Sequence, residues 1–219
     1  MNKYLVSSII IFGIFSILTL VIHNNVVEFY DNLSEDSIFY EFDTGVLQTR
    51  SYFFSPVVTE FMNILSDFGR EYFWIVVLIL LFVFGGIDGR IVAIIILISF
   101  ILVIPITTLV KDLVDRDRPL IYYQPSVNKL PLDESYPSGH ASMVSVGALP
   151  VLLLLRKCPT QRLISSLLVI EAGLVCLSRL YLGVHYPTDI IGGILLGSGT
   201  SLLVTSAHRM IDRFVKLKI

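Results

Sequence analysis

Long apolar runs set the pattern of this chain, and short polar clusters punctuate them. Tyr4–Ile22, Ile91–Val110, Leu163–Leu182 and Thr188–Ala207 each approach the roughly 17–25 residues that a helix needs to cross hydrocarbon. The third carries Glu171 and ends near Ser178-Arg179. Tyr72–Phe84 is apolar but short, and it opens on "EYFW", an interfacial aromatic anchor. His140–Leu155 is apolar and interrupted by Pro150. Proline is tolerated in membrane helices and kinks them, so Pro105 is expected to bend its span likewise. The pattern predicts an all-α membrane protein with six transmembrane helices, one domain over residues 1–219.

One further helix is predicted beside the spans. In "SPVVTEFMNILSDFG", Val57, Phe61, Ile64, Leu65 and Phe68 share one helical face. Ser55 can cap, Pro56 suits the first helical position and Gly69 can end the helix. The expectation is an interfacial helix from Pro56 to Phe68. Upstream, "EFYDNLSEDSIFYEFD" reads as a solvated acidic cover without chemistry.

Composition strengthens the membrane reading. Of 219 residues, 54% are hydrophobic and 16% charged, against about 25% charged in soluble domains, and mean hydropathy is +0.78. Net charge is −2, so no bulk basic field points to nucleic acid as a partner. Cys158 and Cys176 are separated along an apolar run and are not expected to pair. The first run is longer than a signal-peptide core, and His23-Asn24-Asn25 is no cleavage site, so it reads as a retained span. Lys3, Arg90, Arg156, Lys157, Arg162, Arg209, Arg213, Lys216 and Lys218 collect at one set of span ends. By the positive-inside rule both termini are cytoplasmic, in a multi-pass cell-membrane protein. The loops His23–Ser55, Lys111–Gly139 and Tyr181–Pro187 then lie outside.

Three polar clusters fall on that outer side. The first is "KDLVDRDRP", with Lys111, Arg118 and Pro119. The second is "YPSGH", with Pro137, Ser138, Gly139 and His140. The third is "SRLYLGVHYPTD", with Ser178, Arg179, His185 and Asp189. Singly, each has a bland reading: a snorkelling lysine, a helix cap, an interfacial histidine, a carboxylate at a helix N-terminus. Together they describe an anion site. Lys111, Arg118 and Arg179 supply a point charge and two planar forks. Ser138 and the Gly139 amide stand where a helix begins, which suits a phosphate. One histidine can attack phosphorus and the other can protonate the leaving oxygen. Asp189, four residues after His185, can orient it as a triad aspartate does. From the residues alone the two histidine roles can be exchanged. The excess of cations argues against a metal centre, and no cofactor is expected. Asp115, Arg116 and Asp117 read as solvated or paired loop charges. Tyr122 and Tyr123 read either as lining of the substrate mouth or as interfacial aromatics. Glu171 reads as a protonated or hydrogen-bonded interhelical contact. Gly192, Gly193, Gly197 and Gly199 are expected to allow close helix packing.

These eleven positions, in this order and spacing, resemble the tripartite signature of the type 2 phosphatidic acid phosphatase (PAP2) superfamily. That family of lipid phosphatases shares its active-site pattern with vanadium haloperoxidases. The specific resemblance covers about 101–199. It implies a six-helix membrane core and a metal-independent phosphohistidine mechanism. Lys111, Arg118, Ser138, Gly139 and Arg179 would bind phosphate. His185 would be the nucleophile, Asp189 its orienting partner and His140 the acid. The expected substrate is a lipid phosphate in the bilayer: polyprenyl pyrophosphate, favoured on family precedent, phosphatidylglycerol phosphate or phosphatidate. The alternatives are a phosphotransferase using the same covalent step and a non-catalytic anionic-lipid binder or transporter.

Overall fold

A computed structural model describes residues 2–32, 38–49, 52, 55–68, 71–119 and 133–217. The described elements are helical, with no strand among them: α1 (Lys3–Asn32), α2 (Ile38–Thr49), α3 (Pro56–Phe68), α4 (Glu71–Phe84), α5 (Gly86–Val114), α6 (Gly139–Leu154), α7 (Pro159–Tyr181), α8 (Pro187–Ser206) and α9 (His208–Leu217). Four stretches are long and apolar enough to cross a membrane: Lys3–Val27, Gly86–Val114, Pro159–Tyr181 and Pro187–Ser206. The apolar helices Tyr72–Phe84 and Gly139–Leu154 are shorter. Neither Pro105 nor Pro150 ends its helix.

The packing is that of a membrane bundle. A core of Trp74, Val92, Ile96, Val103, Val144, Val175 and Leu196 joins α4 to α8. Large apolar side chains such as Ile17, Ile79, Ile101 and Ile170 point outward. In lipid, tight packing rather than water exclusion holds helices together, and small residues allow it. The glycines of α8 do so here. A Cβ at Gly193 or Gly197 would collide with the backbone of α6 at Ser138 or Ser142. One at Gly192 would meet the Tyr136 ring, and one at Gly199 would press on Phe12 of α1.

Helix boundaries depart from the apolar runs where polar residues continue a helix. No glycine or proline follows Ile22, so α1 runs ten residues further, and Asn25 donates back to the Val21 carbonyl at 2.8 Å. The acidic stretch expected to be a cover runs into the first half of α2. The interfacial helix has the predicted bounds, with Thr59 N–H bonded to the Ser55 carbonyl at 2.8 Å. Its apolar face turns outward: Val57 is 80% exposed, while Thr59, Met62, Asn63 and Ser66 are buried against the bundle. An apolar face turned outward is what hydrocarbon, rather than water, selects.

The two ends of the bundle differ. At one end Asn2 donates to the Ser206 carbonyl at 2.6 Å, Tyr4 meets His208 edge to face, and Lys157 pairs with Asp88 at 2.7 Å. The amphipathic α9 packs Ile211 and Val215 on Ile91 and Ile95 of α5 there. The three polar clusters lie at the other end.

Candidate active site

Helix termini assemble the site. The last turn of α5 brings Lys111. The helix then stops at Asp115, whose φ of 51° is left-handed and whose N–H bonds the Lys111 carbonyl at 2.9 Å. Aspartate tolerates that conformation better than most residues. The turn sends 116–119 across the bundle end. Ser138 caps α6, although its hydroxyl is 3.5 Å from the Ala141 N–H, and its own N–H bonds the Asp189 carbonyl at 3.0 Å. That last bond ties the start of α6 to the start of α8. The Gly183–Tyr186 turn between α7 and α8 carries His185, 1% exposed.

His185 lies between a guanidinium and a carboxylate. Arg118 Nη1 is 3.0 Å from its Nε2, and Asp189 Oδ2 is 3.4 Å from its Nδ1. A guanidinium only donates, so Nε2 accepts and the proton sits on Nδ1, facing Asp189. Burial first, then the positive fields of Arg118, Arg179 and Lys111, hold the imidazole pKa well below its ordinary 6.5; Asp133 opposes them. The result is a neutral imidazole with a lone pair aimed toward the cations, the state a nucleophile needs.

The cations already hold an anion. Asp133 puts Oδ2 2.9 Å from Lys111 Nζ and Oδ1 2.7 Å from Arg118 Nη2. Burial would raise its pKa, but Lys111 and Arg118 outweigh it and bring the value to about 2. Arg118 also donates to the carbonyls of Asp133 (2.7 Å), Val184 (2.8 Å) and Glu134 (3.3 Å), and Lys111 donates to that of Glu134. Beside them, a Cβ at Gly139 would meet open space. His140 follows in the first turn of α6, half-buried. Arg179, in the last turn of α7, is held by the Ser66 hydroxyl of α3.

Four side chains here carry no role in the sequence reading. Asp133 and Ser66 are two. The others form a second layer behind His185. Arg116 donates to Asp189 Oδ1 at 2.7 Å, Thr188 Oγ1 at 2.8 Å and Asp43 Oδ2 at 2.6 Å, and lies 4.1 Å over the Tyr186 ring. Asp43, of α2, is fully buried and accepts from Thr188 N at 3.0 Å and Thr188 Oγ1 at 2.5 Å. The acidic stretch is therefore more than a solvated cover. Burial raises the Asp43 pKa, with Arg116 and Thr188 opposing. Every hydrogen-bond neighbour named is a donor, which favours the carboxylate form. Its only sequence signal is an acid within the short apolar stretch "IFYEFDTGV".

Tyr122 and Tyr123 lie outside the described residues. Glu171 of α7 is buried opposite the Trp74 indole nitrogen of α4, the interhelical contact expected of it. Cys158 and Cys176 are both free. Among the described residues no three His, Cys, Asp or Glu side chains are grouped to hold a metal ion.

Comparison with known proteins places the chain in a family. A family model described as the PAP2 superfamily matches residues 91–213. The chain is 42% identical over 144 residues to an undecaprenyl-diphosphatase from Sulfolobus acidocaldarius, covering 65% of this chain and 66% of that one. It is 36% identical over 110 residues to phosphatidylglycerophosphatase B of Bacillus subtilis, covering 48% and 52%. These matches thus span less than two thirds of the curated relatives' lengths. In fold, the chain resembles the crystal structure of a transmembrane PAP2-type phosphatidylglycerolphosphate phosphatase from Bacillus subtilis, with TM-score 0.66, 23% identity and coverage of 98% and 100%.

Proposed function

This chain belongs to the PAP2 superfamily, and from that premise we propose that it is a metal-independent phosphatase of a membrane lipid phosphate, acting through a phosphohistidine. The observation that carries the reading is the Asp133 carboxylate straddling Lys111 and Arg118 next to the lone pair of His185. An anion fits there, within reach of an imidazole held in the attacking tautomer.

In the proposed reaction a substrate phosphoryl group displaces Asp133 and takes up Lys111, Arg118, Arg179 and the N–H groups at Ser138-Gly139. Arg118 Nη1 turns from His185 Nε2 to a phosphoryl oxygen, and the freed Nε2 lone pair forms a bond to phosphorus as the bond to the leaving oxygen on the lipid side breaks. His140, as imidazolium, gives that oxygen its proton. Asp189 holds Nδ1–H and offsets the charge gained by the ring. His140, now neutral, takes a proton from water as the water oxygen attacks phosphorus. The P–N bond breaks, phosphate leaves and His185 is neutral again. Pre-placed charge is what phosphate-ester hydrolysis needs most.

Undecaprenyl diphosphate is our preferred substrate, from the named activity of the archaeal relative; phosphatidylglycerol phosphate is the next, from the Bacillus relative. An apolar cleft of about 240 Å³ between α6, α7 and α8 starts at Val144, one turn below His140, and is bounded by Leu152, Val169 and Ile194. It offers room for part of a lipid chain. We further propose six spans in a single domain, both termini cytoplasmic and the site outside. The basic span ends and the meeting of Asn2 with Ser206 at the end remote from His185 support this topology.

The test is phosphate release from polyprenyl diphosphate, phosphatidylglycerol phosphate and phosphatidate by purified protein in detergent. Turnover is expected to survive EDTA, to be inhibited by vanadate and to vanish in His185→Ala. Activity lost to chelation and restored by metal rejects the mechanism. Phosphoryl transfer to an added alcohol in place of water marks a transferase, and lipid binding without release marks a binder.

A further inference from the structure

We infer that Asp43 is a positioning residue for the His185–Asp189 pair, acting through Arg116 to keep a net negative charge behind the imidazole. The inference rests on the reaction proposed above. It adds a residue that lies outside the segment the family model matches, 91–213.

The contacts form a chain. Asp43 of α2 accepts from Arg116 Nη2 at 2.6 Å; Arg116 Nη1 donates to Asp189 Oδ1 at 2.7 Å; Asp189 Oδ2 faces His185 Nδ1 at 3.4 Å. Thr188 fixes the proton count. Its hydroxyl oxygen accepts from Arg116, so its hydrogen points to Asp43 Oδ2 at 2.5 Å. Asp43 thus receives donors only and is held as a carboxylate.

Charge decides what this chain does. His185 faces three cations, Lys111 of α5, Arg118 of the crossing segment and Arg179 of α7, with His140 heading α6. Facing it with opposite sign are Asp189 and the rim carboxylate Asp133, which is 56% exposed. Arg116 alone on Asp189 would make a neutral pair. The ring would then have no net counter-charge at Nδ1 when phosphorylation makes it cationic. Asp43 returns the Asp43–Arg116–Asp189 trio to a net charge of about −1 and pins the orientation of the Asp189 carboxylate. The Tyr186 ring, stacked under Arg116, and the Tyr186 N–H, 2.8 Å from Asp189 Oδ2, complete the mounting.

A plain clamp of α2 onto α8 is the competing account, and the two diverge when charges are removed in pairs. Wild-type turnover of lipid diphosphate by the full chain in detergent is read first; its absence removes the proposed function and this inference with it. With wild-type turnover present, Asp43→Asn is expected to lower kcat about tenfold with KM within about twofold. The acid limb of kcat/KM should move to lower pH, because the ring is harder to protonate without Asp43. Adding Arg116→Gln to Asp43→Asn leaves Asp189 its own charge, and kcat is expected to recover severalfold over the single variant. A double variant as slow as, or slower than, Asp43→Asn, with the acid limb unmoved, overturns the inference in favour of a clamp. Should Asp43→Asn fail to fold, Asp43→Glu keeps the charge in a strained fit. It is expected to lower Tm while holding kcat, and loss of kcat in a folded Asp43→Glu equally overturns it.

Discussion

Lys111, Arg118, Arg179, His185 and Asp189 each have an ordinary reading at a span end, and only their order and spacing taken together mark them as candidates. Arg118 shows why identity matters as well as charge. It makes hydrogen bonds from Nε, Nη1 and Nη2 at once, to a carboxylate, three carbonyls and an imidazole. A lysine head cannot fork in this way, so Arg118→Lys is expected to lower kcat/KM about a hundredfold. The exposed Lys157, paired with Asp88, sets the contrast: Lys157→Arg should stay within about twofold. Asp133 yields the opposite sign of effect. Asp133→Asn removes a competing anion, so vanadate and phosphate should inhibit at about fivefold lower concentration. Tighter inhibition is the expected reading of Ki; unchanged Ki would detach Asp133 from the anion site. Asp43 and Asp133 were not legible as functional. Their roles come from contacts 73 and 15 residues away, to Arg116 and Arg118, and no local spacing encodes those.

Among the elements, α3 was legible in its bounds, and the sequence left open which face turns inward. Ser55 and Pro56 mark the start locally, but which face turns inward depends on the solvent outside. A face of Val57, Phe61 and Ile64 would be a core stripe in water and is the outer stripe here. The buried polar face is what lets Ser66 hold Arg179. The glycines anticipated as packing residues divide into two kinds. Gly193 and Gly197 face α6 backbone, so an alanine at either should lower Tm, an overpacking cost of about 1–3 kcal/mol. Gly139 faces open space, so Gly139→Ala should leave Tm in place and raise KM by intruding where a phosphate would sit. Thermal unfolding beside KM, on the same preparations, separates these outcomes. α1 and α5 outran their apolar runs because a polar residue does not stop a helix when backbone bonds continue through it.

At the scale of the whole molecule, the all-helical class followed from composition and run length. The number of crossings did not follow as directly, because α4 and α6 are shorter than a span usually requires. Buried charge also sets a pH response of the fold. The His185 pKa is depressed below 6.5 in the folded chain, so the unfolded chain takes up a proton first as pH falls. Stability is therefore expected to decline below pH 6.5 and to level off under the folded pKa. Asp133 acts lower down: its ion pairs stabilise above 3.8 and are lost as pH falls toward about 2. Tm measured against pH should show the upper decline flattened in His185→Gln and kept in Asp133→Asn. The carboxylate of Asp133 has one more consequence. A tethered rival acts at an effective concentration on the millimolar scale, so under the proposed cycle lipid arrival and phosphate departure are swaps of one anion for another. Lys111 and Arg118 then keep an anionic partner throughout, and an arriving lipid must outcompete one that can never diffuse away.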